Sequence, residues 1–164
     1  MRYNVAIMRI PTALLCISVF LGPVAAQAQK PGLSPCSLVT KAEVQQAAGA
    51  TISEGVVNAH NKSVCDFKAG DTGSVINIML TAKAAADSAE STVAELKKRK
   101  ISAEVTPGFG DSAYASSPGY GMQQLGVYQG SNQVIVTVLL LGAPEARSKT
   151  IAQAIMRKAL TRVQ

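Results

Sequence analysis

The sequence predicts an α+β domain in which helices pack on an antiparallel sheet. Strand-type segments occur in groups joined by tight turns, and segments with helical spacing of apolar residues separate these groups. The order strand, tight turn, strand, helix also occurs twice with little residue identity. We expect helix, about three strands, helix, about three strands, helix. This order gives an antiparallel sheet of about five to six strands with about three helices on one face.

Residues 1–28 predict a cleaved export signal. Arg9 supplies a basic end, an apolar core follows over residues 10–21, and Ala26-Gln27-Ala28 fits the small-x-small rule for cleavage after Ala28. The apolar core is about a dozen residues long, against the ~20 needed to cross a bilayer. We therefore expect a periplasmic or secreted protein with no transmembrane span in its mature chain, a flexible tail over 29–35, and a single domain over 36–164.

Two features of the N-terminal region stay open from the sequence. Met1 and Met8 both fit as the first residue of the signal. Lipid attachment is disfavoured at Cys16, which lies inside the apolar core without a small residue before it. It is also disfavoured at Cys36, which directly follows Pro35.

Composition argues against nucleic-acid binding. The formal net charge is +6 and falls to +4 when Arg2 and Arg9 leave with the signal. The chain has no Trp, and its few Phe and Tyr are scattered, whereas nucleic-acid-binding domains concentrate positive charge and stacking aromatics on one face. We expect an envelope protein or a small ligand as the partner; the sequence does not fix the oligomeric state.

The two cysteines of the mature chain, Cys36 and Cys65, predict a disulfide. An exported chain meets an oxidising compartment, where an even pair of cysteines is typically bridged. In the chain-entropy model, closing this loop stabilises the folded protein by about 3 kcal/mol. A redox pair is disfavoured by the wide spacing, and a metal site is disfavoured because only His60 offers a further ligand.

The first half of the domain shows one helix and three strand-type segments. Thr40 and Glu43 have capping-box spacing and Gly49 suits a helix end, so we expect a helix over Lys41–Ala48. Strands are expected over 51–59, 63–69 and 74–82, and residues 70–73 suit a hairpin turn. The alternating pattern directs these side chains to the core: Cys65, Phe67, Ile76, Ile78 and Leu80.

The second half repeats the scheme. A helix is expected over 84–100, where Ala85, Ala89, Val93 and Leu96 share one face and the late basic run forms a solvated end. Short strands follow over 102–106 and 112–116, then a hairpin over 122–130 and 133–142. From Pro144 an apolar stripe predicts a closing helix. Its basic opposite face fits a membrane surface as well, but packing on the sheet is favoured.

The Gly108-Phe109-Gly110-Asp111 segment is the one motif that resembles a phosphate cradle. It lacks a third glycine and a following Lys-Ser/Thr, and strand-type residues rather than a helix come next. We therefore interpret it as a turn, with Phe109 directed to the core and Asp111 bonding local amides.

The remaining polar residues predict no catalytic centre. His60 is the single histidine, no Gly-x-Ser-x-Gly is present, and no paired carboxylates or metal-ligand spacing stand out. We expect no catalytic residue, no cofactor and no metal.

Several segments together resemble a known group of proteins. The runs CSLVTKAEVQQAAGA, CDF, VTPGFGDSAY, LGVYQGSNQVIVTVLL and ALTRV are similar to small exported bacterial domains of unknown function, many described as lipoproteins, with related folds in extracellular sensor domains. The resemblance covers residues 36–163. It implies a paired first and second cysteine, a sandwich of helices and sheet, and a non-catalytic envelope role. This chain lacks a matching lipid-attachment cysteine, which argues against tethering.

We therefore expect an exported, non-catalytic binding or accessory module. The Gly/Pro/Tyr-rich region over 107–120 is the predicted binding surface, because aromatic-bearing loops on a rigid sheet often carry binding. Its candidate residues are Phe109, Asp111, Tyr114 and Tyr120. Two alternatives stay open: a hydrolase-like enzyme with a dispersed site around His60, and a purely structural envelope protein.

Overall fold

The computed structural model describes residues 33–70 and 73–163. The predicted signal, its cleavage site and the first part of the expected tail lie outside the described residues. The helices are α1 (Lys41–Ala48), α2 (Ala89–Lys98) and α3 (Glu145–Leu160). The strands are β1 (Val56–Val57), β2 (Val64–Ala69), β3 (Ser74–Ala82), β4 (Ser102–Val105), β5 (Ser112–Gly119), β6 (Met122–Gln129) and β7 (Asn132–Leu139).

All seven strands form one antiparallel sheet in the order β1-β2-β3-β7-β6-β5-β4. The long β3–β7 pairing, from Val75 opposite Leu139 to Ala82 opposite Asn132, joins the two halves of the chain at the centre. The predicted α+β class is confirmed. The sheet has more strands than the expected five to six because the second half of the chain supplies four.

One face of the sheet is covered by α1 and α3. Alternation in the strands sends the larger apolar side chains to this covered face, as predicted, and the buried stripe of α3 packs on β6 and β7. The disulfide between Cys36 and Cys65, with a Cα–Cα distance of 5.0 Å, ties a 3-10 turn at Pro35–Ser37 to β2. The buried residues of this core include Val44, Phe67, Ile76, Ile78, Val127, Val136, Ile155 and Met156.

The second face carries α2, so the expectation that all helices lie on one face is wrong. Tyr114 and Tyr128 alternate with core residues of β5 and β6 and therefore point away from α3. Around Tyr114 and Tyr128 both strands are thus apolar on both sides, and α2 covers the second side there. The Tyr128 hydroxyl lies 2.7 Å from Thr92 Oγ1 of α2, which fixes the helix over β4, β5 and β6.

The start of α2 is later than predicted. Ser88 caps the helix, and its side chain and that of Ser91 exchange hydrogen bonds with each other's backbone amides. Before it, Asp87 Oδ2 accepts a hydrogen bond from the Ala84 amide and forms a turn that leaves Ala85 exposed. The apolar spacing extended across this turn, but only the residues from Ala89 onward are helical.

The first predicted strand, 51–59, is mostly irregular. Only Val56–Val57 pairs as a strand, and Ile52 forms an isolated bridge to Ala69. Gly55 allows the irregular path, because the Cβ of any other residue at this position would lie 2.6 Å from the Phe67 ring. The chain passes over β2 too closely here for a side chain at this position.

Candidate binding surface

The four residues predicted to form one binding surface lie in different environments. Phe109 is 6% exposed in the core under α3, where the Arg157 guanidinium lies 4.6 Å from its ring centroid. Tyr114 is 4% exposed on the opposite face, under α2. Phe109 and Tyr114 therefore stabilise two different cores, and the four side chains do not form one surface.

Asp111 connects the turn between β4 and β5 to the β6–β7 turn, so the prediction that it bonds local amides is wrong. Its Oδ2 accepts a hydrogen bond of 2.7 Å from the Gly130 amide, and its own amide donates to the Tyr128 carbonyl. Gly108 and Gly110 both have positive φ, as a chain reversal requires. A strand follows this segment, so the turn interpretation agrees with the structure and the helix start needed for a phosphate cradle is not there.

Tyr120 is the exposed aromatic residue of the predicted region. Its side chain is 97% exposed at the tip of the β5–β6 hairpin. Gly119 pairs with Met122, and the two residues between them, Tyr120 and Gly121, have φ of 55° and 75°. This is the geometry of a type I′ turn, whose first position favours Asn, Asp or Gly. Turn formation therefore does not account for a tyrosine here.

A groove lies on the part of the second face that α2 does not cover. It has a volume of about 390 Å³, and the side chains that form it are half-buried. We call it the open-face groove. Its lining residues are Asn58, Val64, Asp66, Asn77, Met79, Met122, Gln124, Ile135 and Thr137.

A row of polar side chains crosses the floor of the open-face groove and continues beyond it to a buried serine on β5. Strand register places one residue from each of five neighbouring strands in line across the sheet. Asn77 donates to Asp66 Oδ1 at 2.6 Å, Gln124 donates to Thr137 Oγ1 at 3.1 Å, and the Ser116 hydroxyl donates to Gln124 at 3.3 Å. We call this set the polar row: Asp66, Asn77, Thr137, Gln124 and Ser116.

Asp66 is the charged member of the polar row. Its second carboxylate oxygen, Oδ2, accepts a hydrogen bond of 2.7 Å from Asn58 Nδ2. None of the ion pairs within the described residues involves Asp66. The carboxylate is therefore half-buried and oriented by two neutral amides without a cationic partner.

Apolar side chains flank the polar row on both sides. Val64, Met79 and Ile135 are in register in the next row toward one end of the strands. Leu139 and Met122 lie in the row on the other side, since Gln123 is opposite Val138. The open-face groove therefore combines a hydrogen-bonding centre with aliphatic walls.

Sequence reasoning missed this groove, although its residues carry a local signal. Alternation places Val64, Asp66, Asn77 and Met79 on the non-core side of β2 and β3. What the sequence did not show is that β6 and β7 continue the same rows, because the β3–β7 register joins segments far apart in the chain.

A wider depression, about 750 Å³, lies over α1 and the loop after it. Most of its lining residues, including Gln45, Gln46 and Thr51, are fully at the surface. No hydrogen bond connects the side chains of this depression to one another within the described residues. We favour the smaller open-face groove because its polar groups are oriented by one another.

The basic face of α3 makes several contacts within the protein. Arg147 donates to the Ala48 carbonyl at the end of α1, and Lys149 pairs with Glu104. Arg162, just beyond α3, donates to both carboxylate oxygens of Glu43 at 3.0 Å. The hydrogen bond from Arg162 is the largest cause that lowers the pKa of Glu43 from 4.5 to about 2, against an opposing effect of burial. This face therefore helps to hold α1 and the sheet edge in place.

His60 lies exposed in the loop between β1 and β2, and its backbone amide donates to Asn58 Oδ1. In the part of the chain that the structure describes, no group of three His, Cys, Asp or Glu side chains is placed to hold a metal ion. Within the same residues, no helix has the length and apolar character needed to cross a membrane.

Comparisons with family models, with curated proteins and with solved structures found no match for this chain.

Proposed function

We propose that the protein is an exported, non-catalytic binding module that recognises its partner through the open-face groove. The observation that carries this proposal is the polar row between aliphatic walls on the part of the second face without a helix. Apolar side chains beside a few oriented polar groups give a partner both apolar contact area and a fixed orientation. The exposed Tyr120, two residues before Met122 of the groove, adds an aromatic side chain near one end.

The composition of this face differs from that of a sheet face that contacts only water. The solvent side of an antiparallel sheet is usually polar along its length. Here Val64, Met79 and Ile135 form a continuous apolar row across three neighbouring strands, and each remains partly exposed. Contiguous partly exposed apolar surface rimmed by polar residues is characteristic of interaction sites.

An extracytoplasmic location is part of the proposal. The predicted export signal over residues 1–28 supports it. The disulfide between Cys36 and Cys65 is compatible with it, since such bonds persist in oxidising compartments. The resemblance to small exported domains also favours a partner in the cell envelope.

A fragment screen tests where the molecule binds ligands. Backbone-amide NMR spectra of the protein over residues 29–164 would be recorded with a library of small neutral, cationic and anionic compounds. We expect the shifted amides to cluster on β2, β3 and β7 around the open-face groove. Hits that cluster instead over α1, or that scatter without a common site, would contradict the proposed function.

A matched pair of substitutions separates binding from stability. Ile135→Lys places a charge on the aliphatic wall and should remove the groove hits while the protein stays folded, because Ile135 is only half-buried. Leu141→Lys is the control, since Leu141 is 55% exposed beyond the end of β7 and does not line the groove. Equal loss of hits in both variants would show that the effect is unspecific.

A further inference from the structure

We infer that the open-face groove binds a basic side chain of a partner polypeptide, a Lys or Arg flanked by aliphatic residues, with its charge at Asp66. This inference rests on the proposed function and names the chemistry that the groove selects. Three features carry it: the carboxylate without a cation, the aliphatic walls beside it, and the continuation of the surface onto the exposed edge strand.

The hydrogen bonds of Asp66 orient its carboxylate and leave acceptor sites for a cation. Each carboxylate oxygen accepts one hydrogen bond, from Asn58 at 2.7 Å and from Asn77 at 2.6 Å. A carboxylate offers about four lone-pair sites, so roughly two stay available for a ligand. A partly buried charge is costly unless it is paired. The two amides fix the orientation of the carboxylate and leave its charge uncompensated.

The basic residue nearest to Asp66 along β2, Lys68, does not pair with it. Lys68 is two residues further along β2 on the same face and is exposed, about 7 Å away along the strand. It forms no ion pair with Asp66 within the described residues. The position at Asp66 is therefore free for a cation from a partner.

The groove walls fit the stem of a basic side chain. Val64 lies two residues before Asp66 on the same face of β2, and Met79 lies opposite Val64 on β3. Lys and Arg side chains lay their methylene groups along apolar surface and keep the charged end at a polar site. Aliphatic neighbours in the partner would contact Ile135 and Met122 further along the groove.

The extent of the surface favours a polypeptide over a small amine. Every side chain that lines the groove is partly exposed, whereas small-molecule sites enclose most of their ligand. From Asp66 on β2 to Gln124 on β6 the row crosses three strand spacings, about 14 Å, which equals about four extended residues. At its outer end the row continues to Val56, which lies opposite Asp66 on the edge strand β1 and is 64% exposed.

Peptide titration tests the charge preference. The probes are acetyl-Val-Leu-Lys-Leu-Val-amide and two analogues in which norleucine or glutamate replaces the lysine, with n-hexylammonium as the small-amine control. Affinities would be followed by backbone-amide NMR with wild-type protein, with Asp66→Asn, and with Glu145→Gln as the control, which removes one carboxylate charge at an exposed position outside the groove. Thermal unfolding of each variant checks that it is folded.

We expect the lysine peptide to bind about tenfold more tightly than the norleucine peptide, because a close charge pair at a partly buried site contributes on this scale. In Asp66→Asn this difference should disappear, and in Glu145→Gln it should persist. Hexylammonium should bind at least about tenfold more weakly than the lysine peptide, since it covers only the site around Asp66.

Each other outcome separates this inference from the proposed function. Equal binding of lysine and norleucine peptides at the groove would overturn the cation preference and leave the binding-module proposal standing. Hexylammonium that binds as well as the peptide would overturn the polypeptide partner. Fragment hits at the groove without measurable binding of any peptide would overturn it as well. Loss of both fragments and peptides would contradict the proposed function itself.

Discussion

The two faces of the sheet show how one set of strands supports a fold and a candidate binding surface. On β3, Ile76 and Ile78 are fully buried under the covered face, whereas their neighbours Asn77 and Met79 point to the open face and remain partly exposed. The covered face contributes to stability through close packing against α1 and α3. The open face needs little packing to remain in place, so its side chains are available for recognition.

The largest expected difference between the faces is at neighbouring positions of β3. Ile78→Ala should lower the free energy of unfolding by about 2–5 kcal/mol, because it leaves a cavity in the covered core. Met79→Ala removes a side chain of similar size from the open face and should cost less than about 1 kcal/mol. Urea unfolding of both variants measures the contrast. Similar losses would mean that both faces hold the fold equally.

The part of the second face under α2 should respond like a core. An added methyl group at Gly126 would overlap the Tyr114 ring, which lies across from it on β5. Gly126→Ala should therefore cost about 1–3 kcal/mol through overpacking. In a Tyr114→Val background the same substitution should cost less than about 0.5 kcal/mol, as contacting residues are not additive. Additive losses in the two backgrounds would contradict this contact.

The ion pair that fixes α1 should appear in the pH dependence of stability. Because Arg162 lowers the pKa of Glu43 to about 2, the contribution of Glu43 is fully present above about 4.5. It is lost as pH falls from about 4.5 through about 2. After solvent screening we expect about 1–2 kcal/mol, measured by urea unfolding across this range.

Glu43→Gln should flatten this acid-side loss. Glu54→Gln is the matched control, because Glu54 is 78% exposed and forms a surface ion pair with Lys41. It should change stability by less than about 0.5 kcal/mol and leave the pH profile unaltered. If the free energy of unfolding falls as steeply with decreasing pH in Glu43→Gln as in wild type, other carboxylates govern the loss of stability in acid.

The smallest expected effect on stability is at the hairpin tip. Tyr120→Asn creates the Asn-Gly pair that type I′ turns favour, so the free energy of unfolding should stay unchanged or rise by up to about 1 kcal/mol. If Tyr120 takes part in recognition, the affinity of the lysine peptide should fall at the same time. Lower stability with unchanged affinity would assign Tyr120 to the fold instead.

Local sequence signals predicted much of the fold. The capping box of Thr40 and Glu43 and the left-handed Gly49 set the bounds of α1 as predicted. Alternation on β2 and β3 identified the covered face, and the apolar stripe after Pro144 identified α3. Each of these signals depends on residues within a few positions of one another, so it can be recognised without knowledge of the tertiary structure.

Local sequence signals could not predict the arrangement of the open face. The side of the sheet taken by α2 depends on Tyr114 and Tyr128, which the sequence did not assign to a face. The polar row requires that Asp66 of β2 and Gln124 of β6 come into line, and that depends on the non-local β3–β7 register. Tyr114 was expected on the binding surface but is buried by packing that only the fold reveals. Phe109 lies in the core, as the turn interpretation predicted, and this burial excludes it from the binding surface.

The most direct test of the central claim is a methionine-methyl NMR spectrum of protein labelled with ¹³C at the methionine methyl groups, titrated with the lysine peptide. Met79 and Met122 line the open-face groove, and Met156 is fully buried on the covered face as an internal control. We predict that the Met79 and Met122 signals shift together with one affinity while Met156 stays unchanged. Unchanged Met79 and Met122 signals on addition of a peptide that binds would contradict the assignment of the binding surface to the open face.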